Sequence, residues 1–184
     1  TVSVEESANY LAATETYTFE VTPKEITVTI TPNGGTYDGN ITYAAATLNG
    51  VVAGDTVNVN LTYTGTPYDE TPYEGKPTHA GKYVVTASIN NANYVLTGTT
   101  SANFEIKKAT VEAPTDLEAK YGQTLEDVLL NNPSYGSWSF AEDDLVKVFT
   151  KVDDYTFTIT FTSTDPNYAT QTYEVIVKVG LADN

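Results

Sequence analysis

Asn91-Ala92-Asn93-Tyr94-Val95-Leu96-Thr97-Gly98-Thr99-Thr100-Ser101-Ala102-Asn103-Phe104-Glu105-Ile106-Lys107-Lys108-Ala109-Thr110-Val111 decides how this chain divides, because its landmarks occur three times. Asn-Tyr stands at Asn9-Tyr10, Asn93-Tyr94 and Asn167-Tyr168. An aromatic-Glu-aliphatic strand follows each pair: Phe19-Glu20-Val21, Phe104-Glu105-Ile106 and Tyr173-Glu174-Val175. The pairs lie 84 and 74 residues apart, the size of one small β domain and the signature of a tandem array. The quoted stretch therefore reads as a joint. Residues 1–22 are expected to be the terminal strands of a preceding repeat, or an edge strand lent to the next module. Residues 23–107 form a first β module, and 108–184 a second with one short helix.

Outward from the joint, the hydrophobic pattern is that of strands. Ile26, Val28 and Ile30 alternate with Thr27 and Thr29; Val57, Val59, Leu61 and Tyr63 share a face, as do Tyr83, Val85, Ala87 and Ile89. Tyr155, Phe157, Ile159 and Phe161 alternate with threonines, which suit a strand and tolerate water. Asn33-Gly34-Gly35 and Gly54-Asp55 supply turns. Pro67, Pro72 and Pro77 make Gly65 to Lys82 an expected loop. Lys108 to Ala113 opens the second module as a strand, continuous with Phe104 to Val111. Leu125, Val128 and Leu129 have helical spacing behind Thr124, ending at Pro133, and Glu142-Asp143-Asp144 is an expected turn. The fold class is all-β, tandem immunoglobulin-like sandwiches, with a β-grasp-like α+β arrangement as the alternative for the second module.

Composition excludes several functions. The chain of 184 residues carries a net charge of −15, and its nine cationic residues are all Lys. Such a surface repels phosphate and lacks the guanidinium fork, so nucleic acid and anionic membranes are not expected partners. Acidity keeps a repetitive β protein soluble and its sheet edges apart. With no Cys there is neither disulfide nor thiolate metal site. The chain lacks Met, even at position 1, so it reads as a mature or excised piece. It shows neither a signal-peptide pattern nor an apolar run long enough to span a bilayer.

Thr36-Tyr37-Asp38-Gly39, Val52-Ala53-Gly54-Asp55-Thr56-Val57, Ala80-Gly81-Lys82-Tyr83-Val84-Val85 and Asn93-Tyr94-Val95-Leu96-Thr97-Gly98 together resemble the YDG-type, MBG-like repeat of bacterial surface proteins and adhesins. Residues 23–107 carry the resemblance. Tyr121-Gly122-Gln123-Thr124-Leu125, the Trp138 strand and Asp165-Pro166-Asn167-Tyr168 are similar to another repeat of secreted, multidomain bacterial proteins, with Phe140 where a second Trp is usual. The resemblance implies β-rich extracellular modules at a bacterial cell surface, partnered by neighbouring repeats of the same chain. It implies no catalytic residue, so the protein is not expected to be an enzyme.

Each candidate site also has a plainer reading. His79, the one histidine, lacks a nucleophile elbow and reads as a solvent-facing loop residue. One His without Cys does not make a zinc site. Asp69-Glu70, Glu142-Asp143-Asp144 and Asp153-Asp154 supply oxygen ligands for Ca²⁺ if loops converge, but none has the EF-hand spacing, and no cofactor is expected. Tyr68, Tyr73 and Tyr37 with Asp69, Glu70 and Glu74 are the candidate ligand site. Flat rings stack on sugars and carboxylates accept their hydroxyls, so loop 66–77 is the place for a host or mucin glycan, while edge packing of the rings is the plainer reading. Lys24 and Lys107 are conceivable partners in an isopeptide bond, which requires a buried Lys beside Asn or Asp. The expected function is a non-catalytic stalk or spacer of a cell-surface protein, with glycan binding as the alternative.

Overall fold

A computed structural model describes residues 1–40, 44–68, 70 and 75–182. It is nearly all β, with 49% strand against 4% helix, so hydrogen bonding is carried by sheets throughout. The N-terminal residues form a small antiparallel hairpin, β1 (Val2–Val4) with β2 (Ala13–Glu15). The expected strand at Phe19-Glu20-Val21 is unpaired among the described residues, and Phe19, Val21 and the preceding Tyr17 are all exposed. A strand needs a neighbour for its backbone groups, and this segment has none among the described residues.

The next seven strands are β3 (Lys24–Thr31), β4 (Gly35–Thr36), β5 (Ala45–Asn49), β6 (Val59–Pro67), β7 (Gly81–Ile89), β8 (Tyr94–Thr97) and β9 (Ser101–Lys107). They make two sheets, ordered β5-β3-β8 and β4-β9-β7-β6. Alternation places Ile26 and Val28 of one sheet and Tyr83, Val85, Ala87 and Ile106 of the other in the buried core. This is the all-β sandwich expected of the first module.

The expected loop from Gly65 to Lys82 is shorter than its composition suggests. β6 and β7 pair through to Pro67 and Gly81. β6 is an edge strand, where proline's missing N–H costs no ladder bond. Gly65 makes the close pairing possible: its φ is +151°, and a Cβ there would lie 2.3 Å from the Lys82 carbonyl oxygen.

In the second module β10 (Leu117–Lys120) lies parallel to β13 (Gln171–Gly180). β13 pairs antiparallel with β12 (Asp154–Ser163), and β12 with β11 (Gly136–Phe140), giving the order β10-β13-β12-β11. Trp138, Phe140, Ile159, Phe161, Val175, Val177 and Val179 bury one face, closed by Leu125, Val128 and Phe149 from the connections.

Four local expectations are corrected. The helix after Thr124 is a single 3-10 turn, Leu125–Asp127, because Val128 turns extended and buries its side chain while Leu129 points to solvent. Thr124 N still donates to Asp127 Oδ2, as a capping box requires. Glu142-Asp143-Asp144 winds into one helical turn, α1 (Glu142–Leu145), with its acids at the positive N-terminal end. The strand expected over Lys108 to Ala113 reduces to one bridge, Ala109 to Tyr168, and the continuous strand from Phe104 stops at Lys107.

Candidate functional site

The three Asn-Tyr pairs each close a turn, the last two by the same side-chain and backbone bonds and the first by a Ser7–Tyr10 bridge. Asn91 Oδ1 accepts from Asn93 N at 3.0 Å, and Tyr94 N donates to Asn91 O at 3.2 Å. Asp165 Oδ1 accepts from Asn167 N at 2.8 Å, and Tyr168 N donates to Asp165 O at 3.0 Å. Tyr10 N donates to Ser7 O at 3.3 Å. The residue two before the Asn is Ser, Asn or Asp, and the Asn91 and Asp165 side chains hold their turns. Each later turn also anchors the start of its module: Lys24 N donates to Asn93 O, and Ala109 N to Asn167 O, both at 2.8 Å.

Those bonds define the joint. Tyr37 N donates to Lys107 O at 2.8 Å within the first module, and Ala109 N is bonded to the second. Only Lys108 separates the two attachments, so the backbone passes from one hydrogen-bonded frame to the next in a single residue.

Asn167 crosses this joint. It is 6% exposed, the one buried polar residue among those described. Its Oδ1 accepts from the Ala80 backbone N–H at 2.8 Å. Its Nδ2 donates to Asp165 Oδ1 at 2.9 Å and to His79 Nδ1 at 3.2 Å. Ala80 N–H can only donate, which fixes the orientation of the carboxamide; His79 Nδ1 is then an acceptor and the ring proton sits on Nε2. Ala80 itself is 1% exposed, and its carbonyl accepts from Tyr68 N at 2.8 Å, while Tyr83 Oη donates to His79 O at 2.8 Å. His79 is therefore half-buried at the joint, where the sequence suggested a solvent-facing loop position.

Aromatic rings complete the contact. Tyr168 stacks on Tyr135 with centroids 4.0 Å apart and planes at 8°, and Tyr37 meets Tyr168 edge-on at 5.7 Å and 78°. Burial, and then the neighbouring Tyr135 and Tyr37, raise the Tyr168 hydroxyl above its ordinary pKa. The Tyr-Asp-Gly loop of the first module thus points its tyrosine at the second. Asp38 beside it accepts from Asn40 N at 2.9 Å, which lowers its carboxyl pKa and holds the loop's bend.

The six residues nominated as a ligand site do not form a described cluster. Tyr37 lies in the joint. Tyr68 is 37% exposed, with its hydroxyl donated to Glu105 Oε1 at 2.5 Å and Lys108 Nζ 5.4 Å from its ring centroid. The Glu105 hydrogen bond raises the Tyr68 pKa. Glu70 is exposed at φ +56°, its N–H donating to Pro67 O at 3.1 Å. Asp69, Tyr73 and Glu74 lie outside the described residues. Lys24 and Lys107 are both exposed, so neither offers the buried amine that the isopeptide expectation required. Among the described residues no three His, Asp or Glu side chains gather as a metal site.

Sequence reasoning missed Asn167 and Ala80 as the residues that couple the modules. The signal was present in the Asx residue two positions before each Asn, but the acceptor's target, a backbone N–H, leaves no side-chain trace.

Comparison with known proteins gives one family match, over less than half of the chain. The family described as the MBG domain matches residues 26–110, ending one residue past the Ala109 bridge. No curated protein matches the chain.

Proposed function

We propose, taking residues 26–110 as an MBG-like module of the kind found in bacterial surface proteins, that the two modules are a non-catalytic stalk that holds a functional head away from the cell surface. The MBG-like family is generally non-catalytic, and among the described residues no helix is long and apolar enough to cross a membrane. The observation that carries the reading is Asn167. A buried carboxamide whose oxygen and both amide hydrogens are engaged, two of the three bonds reaching the other module, favours one relative orientation. A one-residue connection adds little freedom of its own. Stiffness of this kind suits reach, whereas a catalyst or a ligand trap between modules needs a gap that opens.

Glycan capture through loop 66–77 has weaker support, because Tyr68 commits its hydroxyl to Glu105 and its ring to Lys108. The test of the stalk reading is ¹⁵N relaxation on the intact chain. Both modules are expected to report one shared rotational diffusion tensor, and two independent correlation times would overturn the rigid-spacer reading.

A further inference from the structure

The turn that locks the second module onto the first is present again at the far end of the first module, with its carboxamide open. Asn93 occupies the position of Asn167: same turn, same backbone acceptance from the residue that starts the module. Its surroundings are opposite. Asn167 is buried, whereas Asn93 is exposed and its side chain makes no hydrogen bond among the described residues. Around it Val21, Pro23, Lys24, Asp55 and Tyr94 border a cleft of about 300 Å³.

The segment leading into that cleft shows what it lacks. Aligned on the aromatic-Glu-aliphatic motif, Phe19 and Val21 stand where Phe104 and Ile106 stand in the first module. Ile106 is 2% exposed, inside the sandwich; Phe19 and Val21 are each 83% exposed. An alternating apolar face left this open is the inward face of a strand without its sheet. The partner that fits is the sheet such a strand belongs to.

We infer that the Asn91–Tyr94 end of the first module is a socket for the Pro77–Gly81 pole of a further MBG-like module, joined in line through residues 17–22. In it the Asn93 carboxamide oxygen accepts the backbone N–H at the incoming module's Ala80 position, as Asn167 accepts it from Ala80. The inference rests on the stalk reading and supplies its partner rule. The incoming pole carries a small residue at the Ala80 position, because that residue is enclosed in the existing joint, and a glycine after it. A Cβ on Gly81 would come within 2.6 Å of the Thr66 carbonyl oxygen. The socket departs from the existing joint in one respect. Tyr94 is buried and donates its hydroxyl to Asp55, so the edge-on ring contact made by Tyr168 is not repeated, and the carboxamide is the determinant.

The experiment is a chain in which a second copy of residues 24–106 replaces residues 1–21 and continues into Thr22. Lys82→Arg in the added copy, at an exposed position, gives its 77–83 peptide a distinct mass. Amide hydrogen exchange at Ala80 is then read in both copies, with Asn93 intact and as Asn93→Ala. The added copy's Ala80 is expected to be protected with Asn93 and to exchange about tenfold faster or more without it, while the existing joint is unmoved. Equal exchange in the added copy with and without Asn93, with Ala80 of the existing joint still protected, would overturn the socket and leave the stalk standing. Loss of protection at both joints would instead overturn the stalk. Asn93→Ala keeps the backbone bonds of its turn, and its thermal melt against the parent confirms that the module folds.

Discussion

Replacing Asn167 by Ala separates what the joint contributes from what each module contributes. The variant leaves the Ala80 N–H buried without an acceptor when docked, whereas water satisfies it once the modules part. An unmet buried donor costs about 1–3 kcal/mol, and the lost bond to His79 adds about 0.5–1.5 kcal/mol. Allowing for overlap, the docked state loses about 2–3 kcal/mol, a shift of about 30- to 150-fold in its equilibrium. Trp138, the only tryptophan, reports the second module alone, so urea unfolding followed by its fluorescence reads the loss directly. Part of the effect belongs to the turn itself, through the bond to Asp165. The companion change is therefore made across the joint. His79→Ala, in the first module, is expected to lower the Trp138 transition by about 0.5–1.5 kcal/mol, and the double variant to lose less than the sum by a similar amount. A His79→Ala variant whose Trp138 midpoint equals the parent's, with the two changes strictly additive, would refute the reasoning.

Tyr37→Ala removes the edge-on contact with Tyr168 and is expected to weaken the joint by about 0.5–1.5 kcal/mol beyond the area lost, seen as a lower Trp138 midpoint although residue 37 lies in the other module. Gly65→Ala forces a Cβ into the Lys82 carbonyl at a left-handed φ, and should cost about 2–4 kcal/mol in the first transition with the second little changed. Tyr94→Phe deletes the hydroxyl that accepts from Val52 N and donates to Asp55; the first module's thermal midpoint should fall, and an unchanged midpoint would show that these bonds add nothing net. Glu105 raises the Tyr68 pKa by accepting its hydrogen bond, so whatever stability this bond lends is present below the unfolded tyrosine value and fades as pH rises through the folded one. Ultraviolet titration of Glu105→Gln should show one phenol ionising at lower pH than in the parent, and superimposable curves would remove the assignment.

How much was legible follows from what each element depends on. Ile26-Val28, Tyr83-Val85-Ala87 and Ile159-Phe161 announced their strands and their buried faces because alternation is a property of the residues themselves. The Asn-Tyr repeat was legible too, and the structure closes a turn at each copy. What stayed hidden depends on partners far away in sequence. Gly65 looked like a loop residue because nothing local says that Lys82 will come close enough to require it. Residues 124 to 130 carried a helical spacing that the burial of Val128 and the exposure of Leu129 broke. His79 looked like a loop residue, and only its proximity to Asn167, 88 positions on, makes it a joint residue. Tyr37 and Tyr68, nominated for sugars, had edge packing of their rings as the plainer reading. In the structure Tyr37 meets Tyr168, and Tyr68 meets Glu105 and Lys108, partners too far away in sequence for local pattern to name.

The parallel pairing of β10 with β13 has a mechanical side. A pull on the ends of the second module would be met first at the Ala109–Tyr168 bridge and then at the start of β10, and would leave past Gly180 at the end of β13; β10 and β13 are neighbours running the same way. Pulling on the ends therefore slides one strand lengthwise along the other, and the rungs from Leu117–Val177 to Lys120–Gly180 resist together instead of opening one after another. If the module is loaded from its ends, a change at these four rungs is expected to alter its lifetime under force more than it alters its melting point.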